Sequence, residues 1–261
     1  MRLAVFRATA FILTTFLAAC GGGGGSVSTS SYVSPTQPVT FAGGTPLVPT
    51  QGIYIGAFAN TGAGLTDEQG MSALEAAIGR TLALSMHYYG WTDTFPSSNE
   101  AQDAQVGRIP VLSWNCGPAN SSIAAGAEDA NIIAHADALR AFGKPVFLRY
   151  QWEMNFPAIA NKRTSCYDPA TDNTGGVFSP AEFIAAWNHI HAIFVARGAT
   201  NVAFLWNPGG AGPINAALYY PGASTVDWVG IDEYDRFNVP FANVFSIYPA
   251  VVGYRKPILI A

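Results

Sequence analysis

From Gly52 to Ala261, short apolar runs alternate with longer amphipathic stretches, and this alternation constrains the fold more than any other feature. A strand followed by a crossover helix pairs in parallel with the next strand, so repeated β-α units build a parallel sheet. Apolar runs at 52–58, 81–88, 108–114, 145–150, 201–206, 226–231 and 257–261 predict seven strands. Between them, Thr66-Asp67-Glu68-Gln69 reads as a capping box ahead of Met71, Leu74 and Ile78, with Gly79 as the stop. Ser179-Pro180-Ala181-Glu182 adds proline at the first helical position, ahead of Phe183, Trp187, Ile190 and Phe194. A third helix is predicted over 121–142, closed by Gly143, with Ile132, Ala136 and Leu139 on its apolar stripe. Helices after the fifth and sixth strands are weakly marked. Seven successive crossovers fit a (β/α)8 TIM barrel, interrupted after its seventh strand, better than a doubly wound sheet. The latter would carry a glycine-rich dinucleotide turn where this chain reads Ala59-Asn60-Thr61-Gly62-Ala63-Gly64.

The chain has 261 residues, and the barrel is expected to occupy only 52–261. Residues 1–19 carry Arg2 and Arg7, an apolar run too short to span a bilayer, and small residues before Cys20. This resembles a bacterial lipoprotein signal, with Leu17-Ala18-Ala19-Cys20 as its lipobox, and implies lipidation of Cys20. Residues 20–51 open on the glycine run Gly21–Gly25 and continue in Ser, Thr and Pro, the composition of a flexible tether. The expected location is therefore the bacterial cell envelope, with a membrane contact through the lipid anchor. Charged residues make up 11% of the chain, against about 25% in typical soluble domains, and the formal net charge is −4. A nucleic-acid partner would need a basic stripe that this sequence lacks.

In a barrel, the working residues lie just past the carboxyl ends of the strands. Those positions hold Trp91, Trp114-Asn115, the run Arg149 to Asn155, Trp206-Asn207, and Asp232 to Tyr234. Indole faces collected at a barrel mouth suit sugar rings, whose C–H faces are apolar while their hydroxyls need partners such as Asn, Arg and carboxylates. If extended geometry persists beyond the fourth strand, Arg149, Gln151 and Glu153 share one face, and Tyr150 and Trp152 the other. A carboxyl in a partly apolar mouth keeps its proton more readily, which suits a general acid. A structural ion pair between Arg149 and Glu153 is the alternative. By the same alternation, Asp232 and Tyr234 share a face and Glu233 points away. Cys116 and Cys166 both follow strands toward the mouth, and in an exported protein a disulfide between them is expected. It would pin the aperiodic segment 155–178 as a wall of the cleft. His189 and His191, two positions apart on a helix, cannot face one ligand together. No Gly-x-Ser-x-Gly elbow occurs, and neither a metal nor a cofactor is expected.

The run Arg149-Tyr150-Gln151-Trp152-Glu153-Met154-Asn155 resembles the Arg-x-x-His-Glu-Met-Asn segment of glycoside hydrolase family 26, the β-mannanase family. The segments Gly52–Ala57, Trp206-Asn207-Pro208, Tyr220-Pro221-Gly222 and Asp227–Asp232 are similar to the same family in the same order. The resemblance implies that Glu153 is the acid/base, and that Arg149, Asn155, Trp206 and Tyr234 line the site. Trp152 stands where the family has His. The family's nucleophile is a Glu just past the seventh strand, which here falls at the position after Ala261. The function implied is a retaining endo-β-glycanase acting on β-mannan, monomeric, with this chain alone inactive. Other polysaccharides (mixed-linkage glucan, xylan, an exopolysaccharide) and a non-catalytic glycan-binding lipoprotein are the alternatives. The expected substrate-binding set is Arg149, Trp152, Asn155, Trp91, Trp114, Trp206, Asn207, Asp232 and Tyr234.

Overall fold

The structure is a computed structural model, and it describes residues 47–59, 64–115, 117–156, 178–210, 214–234, 238, 240–244 and 247–261. The chain divides into two units, Met1–Val33 and Ser34–Ala261. The first unit lies outside the described residues, as do Cys20, Cys116, Cys166 and most of the expected cleft wall.

Seven strands run in chain order, each parallel to its neighbours: β1 (Gly56–Ala57), β2 (Leu84–Tyr89), β3 (Ile109–Trp114), β4 (Val146–Tyr150), β5 (Val202–Trp206), β6 (Trp228–Ile231) and β7 (Ile258–Ile260). Helices α1 (Asp67–Ile78), α2 (Ser98–Val106), α3 (Asn120–Ala124), α4 (Asp129–Phe142), α5 (Pro180–Ala196), α6 (Phe241–Val244) and α7 (Tyr248–Val252) fill the crossovers, with a 3-10 turn at Ala216–Tyr219. This is the expected β-α barrel architecture. Among the described residues, no ladder joins β7 to β1.

The capping residues act as their sequence predicts. The Gln69 backbone N–H donates to Thr66 Oγ1 at 3.2 Å, and the Thr66 backbone N–H donates to Gln69 Oε1 at 2.9 Å. Such a cap contributes about 1 kcal/mol. One helical expectation needs revision, and one helix goes unannounced in the sequence. The stretch 121–142 is not one helix: it breaks into α3 and α4 at a turn where Gly126 takes φ +83°, in the left-handed region that only glycine enters freely. Helix α2 has no apolar stripe to announce it. Its start is set by a second capping box, Ser97 with Glu100, and it buries Glu100 and Asp103 instead of hydrophobic side chains.

The sheet separates two cores. Leu84, Ile109, Val111, Phe147, Ala203, Leu205, Trp228 and Leu259 pack on its inner face, as alternate residues of their strands. The opposite parity, including Leu112, Trp114, Leu148, Tyr150, Phe204 and Trp206, packs outward under the helices with Ile132, Leu139, Phe183, Trp187 and Ile190. This parity decides which strand-end side chains can reach the barrel mouth.

Candidate active site

The inward parity of β4 brings Arg149 to the mouth. Its side chain is 1% exposed, and its guanidinium is met from four directions. Nε donates to Ser113 Oγ at 3.0 Å. Nη1 donates to Asp232 Oδ1 at 2.9 Å and to Asn207 Oδ1 at 3.2 Å. Nη2 donates to Met86 Sδ at 3.2 Å and to the Tyr88 hydroxyl at 3.3 Å. Trp152 lies over the same cation, with Arg149 Cζ 5.2 Å from its ring centre, and Tyr88 does so at 5.7 Å. Asn207 can stand there because Gly230 faces it: a Cβ at that glycine would collide with Asn207 Oδ1.

Beyond Tyr150 the chain leaves extended geometry, contrary to expectation. Gln151 and Glu153 both take left-handed φ, +43° and +56°, a conformation costing about 1–3 kcal/mol at a non-glycine residue. The turn is held from both sides. Gln151 N–H donates to Trp114 O at 3.0 Å, and Glu153 N–H to Asn207 O at 2.8 Å. Asn155 closes it from below, its Oδ1 accepting from Gly209 N at 2.9 Å and its Nδ2 donating to Gly209 O at 2.7 Å. Gly209 in turn forms a bridge with Asp232. Glu153 thus sits on a tight turn fastened to the ends of β3 and β5. Because of that turn, Trp152 packs on the Arg149 side instead of joining Tyr150 on the outer face.

Asp232 and Tyr234 share a face, as alternation predicts, and both line a cavity of about 580 Å³. Pockets that hold small ligands span about 300–1,000 Å³. Its floor is Leu84, Val111 and Trp228, and its sides include residues of β1 and β7. Burial and the nearby Asp232, Glu153 and Tyr88 push the Tyr234 hydroxyl pKa up against the opposing pull of Arg149, so Tyr234 is a proton donor at neutral pH. Glu233 lies against Gly210, away from the cavity lining.

The structure therefore brings together Arg149, Trp152, Glu153, Asn207, Asp232 and Tyr234. It places the other expected residues elsewhere. Trp114 and Trp206 have outward parity and are 0% and 1% exposed. Trp91 stacks on Trp114 at 4.4 Å and donates its indole N–H to Glu128. No sugar can lie on these three faces. Asn155 is buried, and its amide is committed to Gly209, so it fixes the turn and presents no group to a ligand. Arg149 pairs with Asp232. Sequence reasoning missed Tyr88 and Phe58, which lie at the ends of β2 and β1 with their rings 5.0 Å apart. Tyr88 has the same parity as Leu84 and Met86, and that was the available signal.

A Ser-His-Asp alignment exists on the outer face: Ser85 Oγ is 3.3 Å from His87 Nε2, and His87 Nδ1 is 3.1 Å from Asp67. It is no nucleophilic centre. Asp103 takes the same Nε2 at 2.7 Å, and Ser85 is 1% exposed beneath the helices.

No family model matches the chain. Endoglucanase H of Acetivibrio thermocellus is 30% identical over 225 residues, covering 80% of this chain and 24% of that protein. The chain thus spans about a quarter of that relative's length. Among solved structures, a GH26 β-mannanase from Bacteroides ovatus superposes with a TM-score of 0.59 at 16% identity, covering 81% of this chain and 72% of that one. The GH26 domain of an endo-β-mannanase/endo-β-glucanase from Prevotella bryantii gives 0.57 at 17%, covering 80% and 74%. A β-mannanase from a symbiotic protist of the termite Reticulitermes speratus, complexed with gluco-manno-oligosaccharide, gives 0.55 at 18%, covering 80% and 73%. The fold is that of the GH26 barrels.

Proposed function

We propose that this chain is a family 26 glycoside hydrolase, an endo-acting enzyme on a β-linked glycan backbone. The observation that carries the reading is the turn at Glu153. A carboxyl-bearing residue is held in left-handed geometry at the carboxyl end of the fourth barrel strand, within electrostatic reach of a cavity-lining tyrosine. Strand-end turns are where barrels of this kind carry their chemistry. Glu153 in its acid form would give its proton to the glycosidic oxygen as the bond from that oxygen to the anomeric carbon breaks. As a carboxylate it would then take a proton from the attacking water. Retention needs a second carboxylate about 5–5.5 Å away as nucleophile. No carboxylate among the described residues is assigned that role. Asp232 is not a substitute, because its charge is engaged by Arg149.

Mannan is the backbone suggested by the likeness in fold, since the neighbouring structures are β-mannanases. Glucan is suggested by the 30% identity to an endoglucanase. The two differ in the orientation of one hydroxyl, so both substrates belong in the test. Protein expressed from its complete gene should release reducing oligosaccharides from glucomannan, and Glu153→Ala should lower that rate by about 100-fold or more. Absence of hydrolysis of mannan and glucan by the unaltered protein, or full activity in the variant, would overturn the reading. The proposal includes envelope anchoring through Cys20: labelled fatty acid should enter the protein in a bacterial host and fail to enter Cys20→Ala. Labelling of both proteins would contradict it.

A further inference from the structure

Arg149 reads from sequence as a sugar ligand, but its hydrogen-bonding capacity is spent within the protein. A guanidinium has five N–H donors, and each nitrogen here is matched to acceptors: Ser113 on Nε, Asp232 and Asn207 on Nη1, Met86 and Tyr88 on Nη2. With its side chain 1% exposed, the cation has nothing left to offer a substrate. What it does instead is orient two of its partners. The Tyr88 hydroxyl accepts from Nη2, which leaves its own proton to be donated outward. Asp232 uses Oδ1 on Nη1, and among the described residues its Oδ2 is free to accept. Both side chains line the cavity, and both hang on one planar guanidinium whose fork geometry fixes their spacing.

The walls beside this pair are aromatic. Phe58 is 50% exposed and Tyr88 43%. Phe58 meets Tyr88 edge-on at 5.0 Å, and Tyr88 meets Trp152 at 5.2 Å. A pyranose needs both parts of such a surface: an apolar face for its axial C–H groups, and a donor with an acceptor for two adjacent hydroxyls.

Resting on the glycanase reading, we infer that Tyr88 and Asp232 form a preset donor–acceptor pair that binds a vicinal diol of one backbone sugar. Phe58 and Tyr88 supply the shelf under that sugar, and Arg149 is the positioning residue that holds the pair. Tyr88 and Phe58 are thus substrate-contacting residues, and Arg149 acts only through others.

The test is calorimetric titration of the full chain with cellohexaose and with mannohexaose. Tyr88→Phe keeps the ring and removes the donated proton, and should weaken binding of whichever hexasaccharide binds better by about 5- to 10-fold. Phe58→Ala, at a half-exposed position, should weaken it by a similar factor of about 5- to 10-fold with unchanged thermal stability. Wild-type affinity in Tyr88→Phe, or in Phe58→Ala, would overturn the inference. Failure of the unaltered chain to bind either sugar would instead overturn the glycanase reading on which it rests.

Discussion

Arg108 and Arg149 are equally hidden, with side chains 2% and 1% exposed, yet their surroundings differ in kind. Arg108 lies on the outer side of the sheet, beneath α1 and α2, bound to Asp103 at 2.8 Å, to Glu75 at 3.1 Å and to Glu68. His87 extends the same network between Asp67 and Asp103. The charged groups there answer one another across α1 and α2, with Arg108, His87 and Asp103 buried between those helices and the sheet. Arg149 has one carboxylate partner, with an amide, two hydroxyls, a thioether and two aromatic rings, and its partners face a cavity. Burial of charge therefore does not identify a working site. A network that satisfies itself holds helices in place. A cation that leaves its partners half-used at a barrel mouth prepares them for a ligand.

This difference can be broken experimentally. Arg108→Ala should be the most damaging to stability, because it removes the one cation that Asp103, Glu75 and Glu68 share. Loss of one partner from a buried ion pair costs about 3–5 kcal/mol, measurable by urea denaturation, and intact stability would show the outer network to be dispensable. Gly230→Ala should act at the mouth: its Cβ would displace Asn207 and with it Arg149. Overpacking of this kind costs about 1–3 kcal/mol, with loss of oligosaccharide binding as the decisive readout. Unchanged affinity would show that the Asn207–Arg149 contact does not shape the site.

The outer network also carries a pH dependence. Burial alone would lower the pKa of His87, but Asp103, then Glu100 and Asp67, outweigh it and hold the imidazole above its ordinary value. The groups facing it are Asp67 from α1, Glu100 and Asp103 from α2 and Ser85 on its own strand, with Arg108 and Glu75 beyond. A folded pKa above the unfolded one gives stability that is full below the unfolded value, about 6.5, and is lost as pH rises through the folded value. Thermal stability should thus decline as pH rises from about 6.5 through the raised folded value, and His87→Gln should flatten that decline. An unaltered slope in the variant would assign it to another group. The smallest effect is expected from Trp206→Phe, which should lower stability modestly and leave glycan affinity unchanged. A loss of affinity would return Trp206 to the site.

Sequence periodicity was enough for the parallel sheet, because strands buried on both faces read as continuous apolar runs and their capped helices carry local signals. It was also enough to bring Arg149, Glu153, Asp232 and Tyr234 to one end of the barrel. It failed where a residue's direction mattered more than its position along the chain. Trp114 and Trp206 end their strands and Trp91 follows one, but parity turns the first two outward, and Trp91 stacks on Trp114. Trp152 was assigned to the wrong face because two left-handed residues, at Gln151 and Glu153, interrupt the alternation. Neither bears glycine, the residue that ordinarily announces such a turn. Helix α2 went unread because its buried face is charged, and hydrophobic periodicity cannot register it.

Hydrogen exchange of the protein with and without saturating cellohexaose or mannohexaose tests most directly where the ligand lies. Binding at the mouth predicts slowed exchange across 151–155, across 230–234 and at the end of β2, with no change along α2. Slowed exchange confined to α1 and α2, or an unprotected turn at 151–155 under saturating sugar, would contradict it.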